Sequence, residues 1–216
     1  MDNKAIIFDM DGVLIDSEKL WKQAEHEVFT SLGVKVTDEY SSITKAMTTF
    51  EVTKFWYNKY PWENMKLEVV EQKVISRVIE LIKTENCQIN GVKSFIEKLK
   101  TRKYKIGLAT NSPASVIPVV LEKIDALHLF DSVSSAEFEK RGKPDPAIYY
   151  KTAQNLKLKP ENCIAIEDSY SGMMAAKNAG MTVIAFTNGD KEIEFEIADD
   201  KIESFENKNI KLIRMT

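Results

Sequence analysis

Ala5-Ile6-Ile7-Phe8-Asp9-Met10-Asp11-Gly12 is the stretch on which the fold turns. Four consecutive apolar residues, Ala5 to Phe8, suit a short strand buried on both faces, the kind found inside parallel sheets. The run stops on two carboxylates spaced by one residue, and Gly12 then lets the chain turn sharply. In open α/β sheets, ligands bind at the carboxyl ends of the strands, which is where Asp9 and Asp11 fall. D-x-D-G also closes the calcium-loop signature, but that register needs an acidic residue at position 7 and meets Ile7. A preceding strand contradicts a helix-loop-helix unit as well.

Working outward, three further apolar runs read as buried parallel strands: Lys105 to Thr110, Cys163 to Glu167 and Thr182 to Phe186. Val92, Phe95, Ile96 and Leu99 follow the i, i+3, i+4, i+7 spacing of one helical face just ahead of the second strand. Pro113, Pro144 and Ser169 suit helix amino termini, and Gly180 suits a helix stop. Alternating strands and helices predict an α/β fold with a doubly wound, mostly parallel sheet. Residues 16–88 break the alternation with long helical periodicities and no clear strand. Leu20, Ala24, Glu27 and Val28 mark one amphipathic helix; Val70, Val74, Ile75, Val78 and Ile82 mark another. The expected organisation is a Rossmann-like core of residues 1–15 and 89–216, interrupted by a helical insert of residues 16–88. The aromatics Phe55, Trp56, Tyr57, Tyr60 and Trp62 are read chiefly as the insert's own core.

The chain has 216 residues, 44% of them hydrophobic and 29% charged, enough to bury a real core. A formal charge of −3 supplies no basic field for nucleic acid or anionic membranes, so an anionic ligand must meet local positive charge. No run approaches the ~20 apolar residues of a spanning helix, and the amino terminus does not read as a signal peptide. A cytoplasmic monomer is the expectation. Cys87 and Cys163 lack metal or redox spacing and read as buried thiols.

Other polar residues fall at the same rim of the expected sheet. Thr110-Asn111-Ser112 ends the second strand with hydroxyl and amide groups suited to an anion, although such residues also cap helices routinely. Lys143 stands between Gly142 and Pro144, where an ammonium would be aimed; a solvated loop lysine is the bland alternative. Glu167-Asp168 ends the next strand, adding carboxylates that would repel Asp9 and Asp11 unless a hard cation sat among them. Capping a helix is the alternative role for Asp168.

In order, Asp9-Met10-Asp11-Gly12-Val13-Leu14, then Thr110, then Lys143, then Glu167-Asp168 with Ser169, Gly172, Ala175, Ala176, Ala179 and Gly180, resemble the motifs of haloacid dehalogenase-type phosphotransferases. The likeness covers nearly the whole chain. The insert resembles the cap of the subfamily that contains β-phosphoglucomutase and small sugar phosphatases, with Asp16-Ser17-Glu18, Phe55-Trp56-Tyr57 and Pro61-Trp62 most like hexitol and 2-deoxyglucose 6-phosphate phosphatases. The resemblance implies a phosphatase acting on a small phosphorylated metabolite, a sugar or sugar-alcohol phosphate. Asp9 would attack phosphorus and form a phospho-aspartate, with Asp11 as general acid and then base. Mg2+ would be held by Asp9, the backbone carbonyl of Asp11 and Asp168, with Glu167 acting through water. Lys143, Thr110 and Asn111 would clamp the phosphoryl group. Substrate specificity is expected from Trp21, which stands where β-phosphoglucomutases carry histidine, and from the loop bearing Lys45, Met47 and Thr48. A sugar phosphomutase and an inactive phospho-ligand-binding module are the alternatives.

Overall fold

The computed structural model describes residues 4–44, 47–190 and 196–206. Its strands are β1 (Ala5–Phe8), β2 (Lys105–Thr110), β3 (Ser132–Ser135), β4 (Cys163–Glu167), β5 (Thr182–Phe186) and β6 (Asp200–Ile202). They form one six-stranded sheet in the order β3-β2-β1-β4-β5-β6, every pairing parallel. The sequence falls into this sheet because alternate residues serve opposite faces. Ile6 and Phe8, Ile106 and Leu108, Ile164 and Ile166, and Ile184 and Phe186 bury on one side. Ala5, Ile7, Ala109, Cys163, Ala165, Val183 and Ala185 bury on the other. The first face is bulky and the second mostly small.

Each face takes helices to match. Behind the small face lie α7 (Ala147–Asn155) and α8 (Tyr170–Asn178), whose Ala153, Ala175 and Ala176 allow close approach. The backbone is close enough at Gly107 that an added Cβ would lie 3.0 Å from the Thr152 methyl. Against the bulky face lie α5 (Val92–Thr101) and α6 (Val116–Lys123), while the insert carries α1 (Glu18–Ser31), α2 (Ser41–Thr44), α3 (Thr49–Lys59) and α4 (Leu67–Thr84), with α1 and α3 packed on α4 and α4 on α6. Leu20 and Ala24 of α1 and Val70, Val74 and Val78 of α4 share one continuous hydrophobic cluster with Phe8 and Phe95. Truncating a fully buried Phe in such a cluster costs about 3–5 kcal/mol. Trp56 and Trp62 are buried among Phe29, Tyr40, Phe55, Tyr57 and Tyr60, so the aromatic group does form the interior of the insert.

The two connections to the insert run side by side. Ile15 bridges Gln88, Asp16 N–H donates to the Cys87 carbonyl at 2.7 Å, and Ile89 N–H donates to that of Leu14 at 3.1 Å.

Four expected strands have the expected bounds, but the sheet also contains β3 and β6. β3 is the polar Ser-Val-Ser-Ser at the sheet edge, and β6 has only three residues, so neither carries an apolar run. The helices after Pro113 and Pro144 begin later than expected, at Val116 and Ala147, with Ser115 and Pro146 as their caps. Both cysteines are buried free thiols. No helix among the described residues is long and apolar enough to cross a membrane.

Candidate active site

Register brings the polar residues together. Phe8 pairs with Leu108 and with Ile166, and Asp9 N–H donates to the Ile166 carbonyl at 2.9 Å, so Asp9 leaves the central strand level with Ala109 and Glu167. Lys143 reaches the same point from the loop before α7. Its ammonium donates to Asp9 Oδ1 at 2.7 Å, Glu167 Oε1 at 2.6 Å and the Ala109 carbonyl at 2.8 Å. Three donors meet three acceptors, so the side chain is pinned. The solvated-loop alternative is excluded, since Lys143 is only 5% exposed. Burial pulls the Lys143 ammonium down, yet the carboxylates of Asp9 and Glu167 outweigh it and hold the group above its ordinary range. Asp9 is pushed well up, first by burial and then by Glu167, against the pull of Lys143; Asp168 and Asp11 add to the rise. One ammonium does not balance this many acids.

Glu167 is fully buried and also accepts from the Tyr149 hydroxyl on α7. Tyr149 is held well above its ordinary range by burial and then by the Glu167 charge. Its hydroxyl therefore remains a donor. Gly172 of α8 abuts this carboxylate so closely that a Cβ would meet Glu167 Oε2 at 2.0 Å. Ser169, rather than Asp168, caps α8, accepting from Gly172 N–H at 3.1 Å. Asp168 instead packs over the turn at Gly12, where φ is +75° and a Cβ would lie 1.9 Å from Asp168 Oδ2. Only glycine allows that approach.

Carboxylate oxygens of Asp9, Glu167 and Asp168 lie within 4.8 Å of one another. This all-oxygen donor set, with excess negative charge, fits a hard divalent cation of the magnesium type. The fully buried Glu167 is already engaged by Lys143 and Tyr149, which suits it to a supporting place beside Asp9 and Asp168.

Asp11 is held from three directions. Ser112 Oγ, from the core, donates to its Oδ2 at 2.6 Å, while Ser17 Oγ, at the start of the insert, donates to Oδ1. The Trp21 indole N–H, from α1, donates to Oδ1 at 2.9 Å. Asp11 thus ties the core to the insert. Thr110 is buried at the end of β2, and its hydroxyl accepts from Ser112 N–H at 3.0 Å. Asn111 Oδ1 accepts from Lys143 N–H at 2.8 Å and fills the space in front of Gly142, where a Cβ would lie 2.9 Å from it. Thr110 and Asn111 therefore sit at the rim while bracing Ser112 and Lys143.

The expected specificity residues are placed differently. Trp21 is partly buried against the hydrophobic cluster and directs its N–H at Asp11, so it touches the polar rim of the sheet as well as the insert. Thr48 caps α3: its hydroxyl accepts from Glu51 N–H at 3.3 Å, and its own N–H donates to Glu51 Oε2 at 2.8 Å, a reciprocal capping box. That hydroxyl serves the helix start. Met47 is partly buried against the same cluster. Lys45 lies outside the described residues. Ser17 and Ser112 belong to quoted motifs, Asp16-Ser17-Glu18 and Thr110-Asn111-Ser112, but their hydroxyls bind Asp11, a partner the sequence reading did not assign, and Tyr149 joins the site without having been expected.

Comparison with known proteins identifies the family. The model of the family described as haloacid dehalogenase-like hydrolase matches residues 6–186. The chain belongs to that family. This haloacid dehalogenase-like hydrolase is 36% identical over 203 residues to hexitol phosphatase B of Escherichia coli strain K12, spanning 93% of this chain and 91% of the relative. It is 35% identical over 188 residues to a phosphorylated carbohydrates phosphatase of Thermotoga maritima, spanning 82% of each. A crystal structure of β-phosphoglucomutase from Clostridium difficile matches it with a TM-score of 0.84 at 25% identity, covering 98% of this chain and 96% of the other.

Proposed function

We propose that this haloacid dehalogenase-like hydrolase is a phosphatase of small phosphorylated polyols and sugars that works through a phospho-aspartate on Asp9. The observation that carries the reading is the pairing of Lys143 with one oxygen of Asp9 at 2.7 Å while Asp11, two residues on, is held by donors at the same strand end. Lys143 orients the Asp9 carboxylate, and among the described residues Oδ2 accepts no hydrogen bond, leaving it to face phosphorus. Attack forms the aspartyl–phosphorus bond as the ester oxygen departs with its electron pair, and Asp11 delivers a proton to that oxygen. Asp11 then takes a proton from water, which attacks the same phosphorus and releases Asp9. Lys143 and the amide of Asn111 balance the charge on the transferring oxygens. Asp9, Asp168 and the Asp11 carbonyl would hold magnesium, with Glu167 acting through water; when bound, the ion offsets the repulsion between carboxylates and phosphate.

Residues 16–88 act as a cap over the core of residues 1–15 and 89–216, with the paired connections at Ile15 and Gln88 as its hinge. The names of the hexitol and carbohydrate phosphatase relatives support the substrate class. Release of phosphate from a panel of hexitol, hexose and pentose phosphates, measured with magnesium, tests the reading. Preferential hydrolysis of polyol or sugar phosphates supports it. Conversion of a hexose 1-phosphate into its 6-phosphate without phosphate release would point to a mutase instead.

A further inference from the structure

Glu25 is a partly buried carboxyl group in α1 that makes no hydrogen bond or ion pair with any described residue. Its neighbours on the exposed flank behave differently: Lys22 pairs with Glu18 at 2.8 Å in solvent, and Glu27 pairs with Arg77 at 2.6 Å. Residues four apart on a helix stand side by side, about 6 Å between their Cβ atoms, so Glu25 is next to Trp21 and one turn farther from the hinge. Trp21 is the residue whose indole N–H reaches Asp11 at 2.9 Å. One turn beyond Glu25, Phe29 is buried against the rings of Trp56 and Trp62. Glu25 therefore lies between the indole at Asp11 and the aromatic interior of the insert.

A substrate with its phosphorus at Asp9 and its ester oxygen at Asp11 must send its carbon chain away from the core, past Trp21. We propose that Glu25 is the cap residue that receives the hydroxyl groups of this chain, selecting neutral polyhydroxylated monophosphates over substrates with a second anionic group. This rests on the phosphatase reading above. A carboxylate is an acceptor of up to about four hydrogen bonds and takes two adjacent O–H donors well; it repels a second phosphate or carboxylate. Burial pushes the Glu25 carboxyl up to about 7, against the pull of Lys22, so the chain keeps this group at a cost to the folded state. Local rules are broken in this way where function requires it.

The test compares wild type, Glu25→Gln and Glu25→Ala with magnesium on three probes: sorbitol 6-phosphate, phosphoglycolate and p-nitrophenyl phosphate. Loss of hydrogen bonds to a charged group predicts that kcat/KM for sorbitol 6-phosphate, relative to that for p-nitrophenyl phosphate, falls about 10- to 100-fold in Glu25→Ala, mainly through KM. Glu25→Gln, which keeps the shape, should fall less and should gain relative activity on phosphoglycolate. A melting temperature no lower than wild type separates this from a folding defect. Unchanged ratios in both variants, with wild type active on sorbitol 6-phosphate, would overturn the role of Glu25 alone. Wild type that cleaves p-nitrophenyl phosphate but no polyol or sugar phosphate would overturn the substrate class and the Glu25 proposal with it.

Discussion

Replacing Lys143 by Met removes a single ammonium while keeping most of the side-chain volume, and its cost follows from the contacts. The ammonium donates to Asp9 at 2.7 Å, Glu167 at 2.6 Å and the Ala109 carbonyl at 2.8 Å in a site closed to solvent. Without it, Glu167 keeps the Tyr149 hydroxyl, but Asp9 and Glu167 face each other with no positive charge between them. Removing one partner of a buried ion pair costs about 3–5 kcal/mol, because the surviving charge is left uncompensated. For a chain of this size, each kcal/mol moves the melting temperature by roughly 2–4 °C, so a drop of about 6–20 °C is expected. Thermal unfolding should be followed in chelator, so that a bound cation does not substitute for the missing charge. Magnesium should then restore part of the loss in Lys143→Met, by supplying charge to the same carboxylates. If Lys143→Met melts within about 2 °C of wild type in chelator, the ammonium does not hold the cluster together.

Trp21→Phe keeps a ring but removes the N–H that reaches Asp11; kcat should fall up to about 10-fold for alkyl phosphates and less for p-nitrophenyl phosphate, whose leaving group needs little protonation. Equal losses on both would place Trp21 outside the positioning of Asp11. Glu25→Gln should change the pH dependence of stability. A folded pKa of about 7, above the ordinary glutamate value of 4.5, means that the favourable contribution is complete below about 4.5 and is lost as pH rises through about 7. Above that range Glu25→Gln should be the more stable protein by no more than about 3 kcal/mol, less where solvent screens the partly exposed group, and chemical denaturation at pH 4 and pH 8 measures it. Chelation of magnesium should abolish turnover and its return should restore it, whereas calcium, larger and less strictly octahedral, should support little; phosphate release in metal-free buffer at the full rate would refute the cation site.

The central strands are legible in the sequence because each is an unbroken apolar run buried on both faces, and strand ends in such a sheet lie at one rim. For that reason the amino-acid order alone places Asp9, Thr110 and Glu167 together. β3 carries no such signal, because an edge strand needs only one buried side: Val133, its single apolar residue, is 46% exposed, and the other residues paired with β2 are serines. β6, Asp-Lys-Ile, has too few residues to show a period. Side chains arriving from helices are the illegible part of the site. Tyr149 reaches Glu167 only because α7 packs on the small face of the sheet, and Ser17 and Trp21 reach Asp11 only because the insert folds back over it. Nothing in the spacing of a serine or a tyrosine announces such a partner. Thr48 shows the converse: its place in a loop invites a binding role, while its hydroxyl is engaged at the start of α3.

The covalent role of Asp9 is tested most directly by hydrolysis in Asp9→Asn, with circular dichroism to verify the fold and magnesium present throughout. The amide keeps the shape of the side chain but cannot form the acyl phosphate. Wild type quenched in acid during turnover of a 32P-labelled polyol phosphate should carry a hydroxylamine-labile label on the peptide containing Asp9, and folded Asp9→Asn should carry none and release no phosphate above background. Substantial phosphate release by folded Asp9→Asn would contradict the phospho-aspartate mechanism.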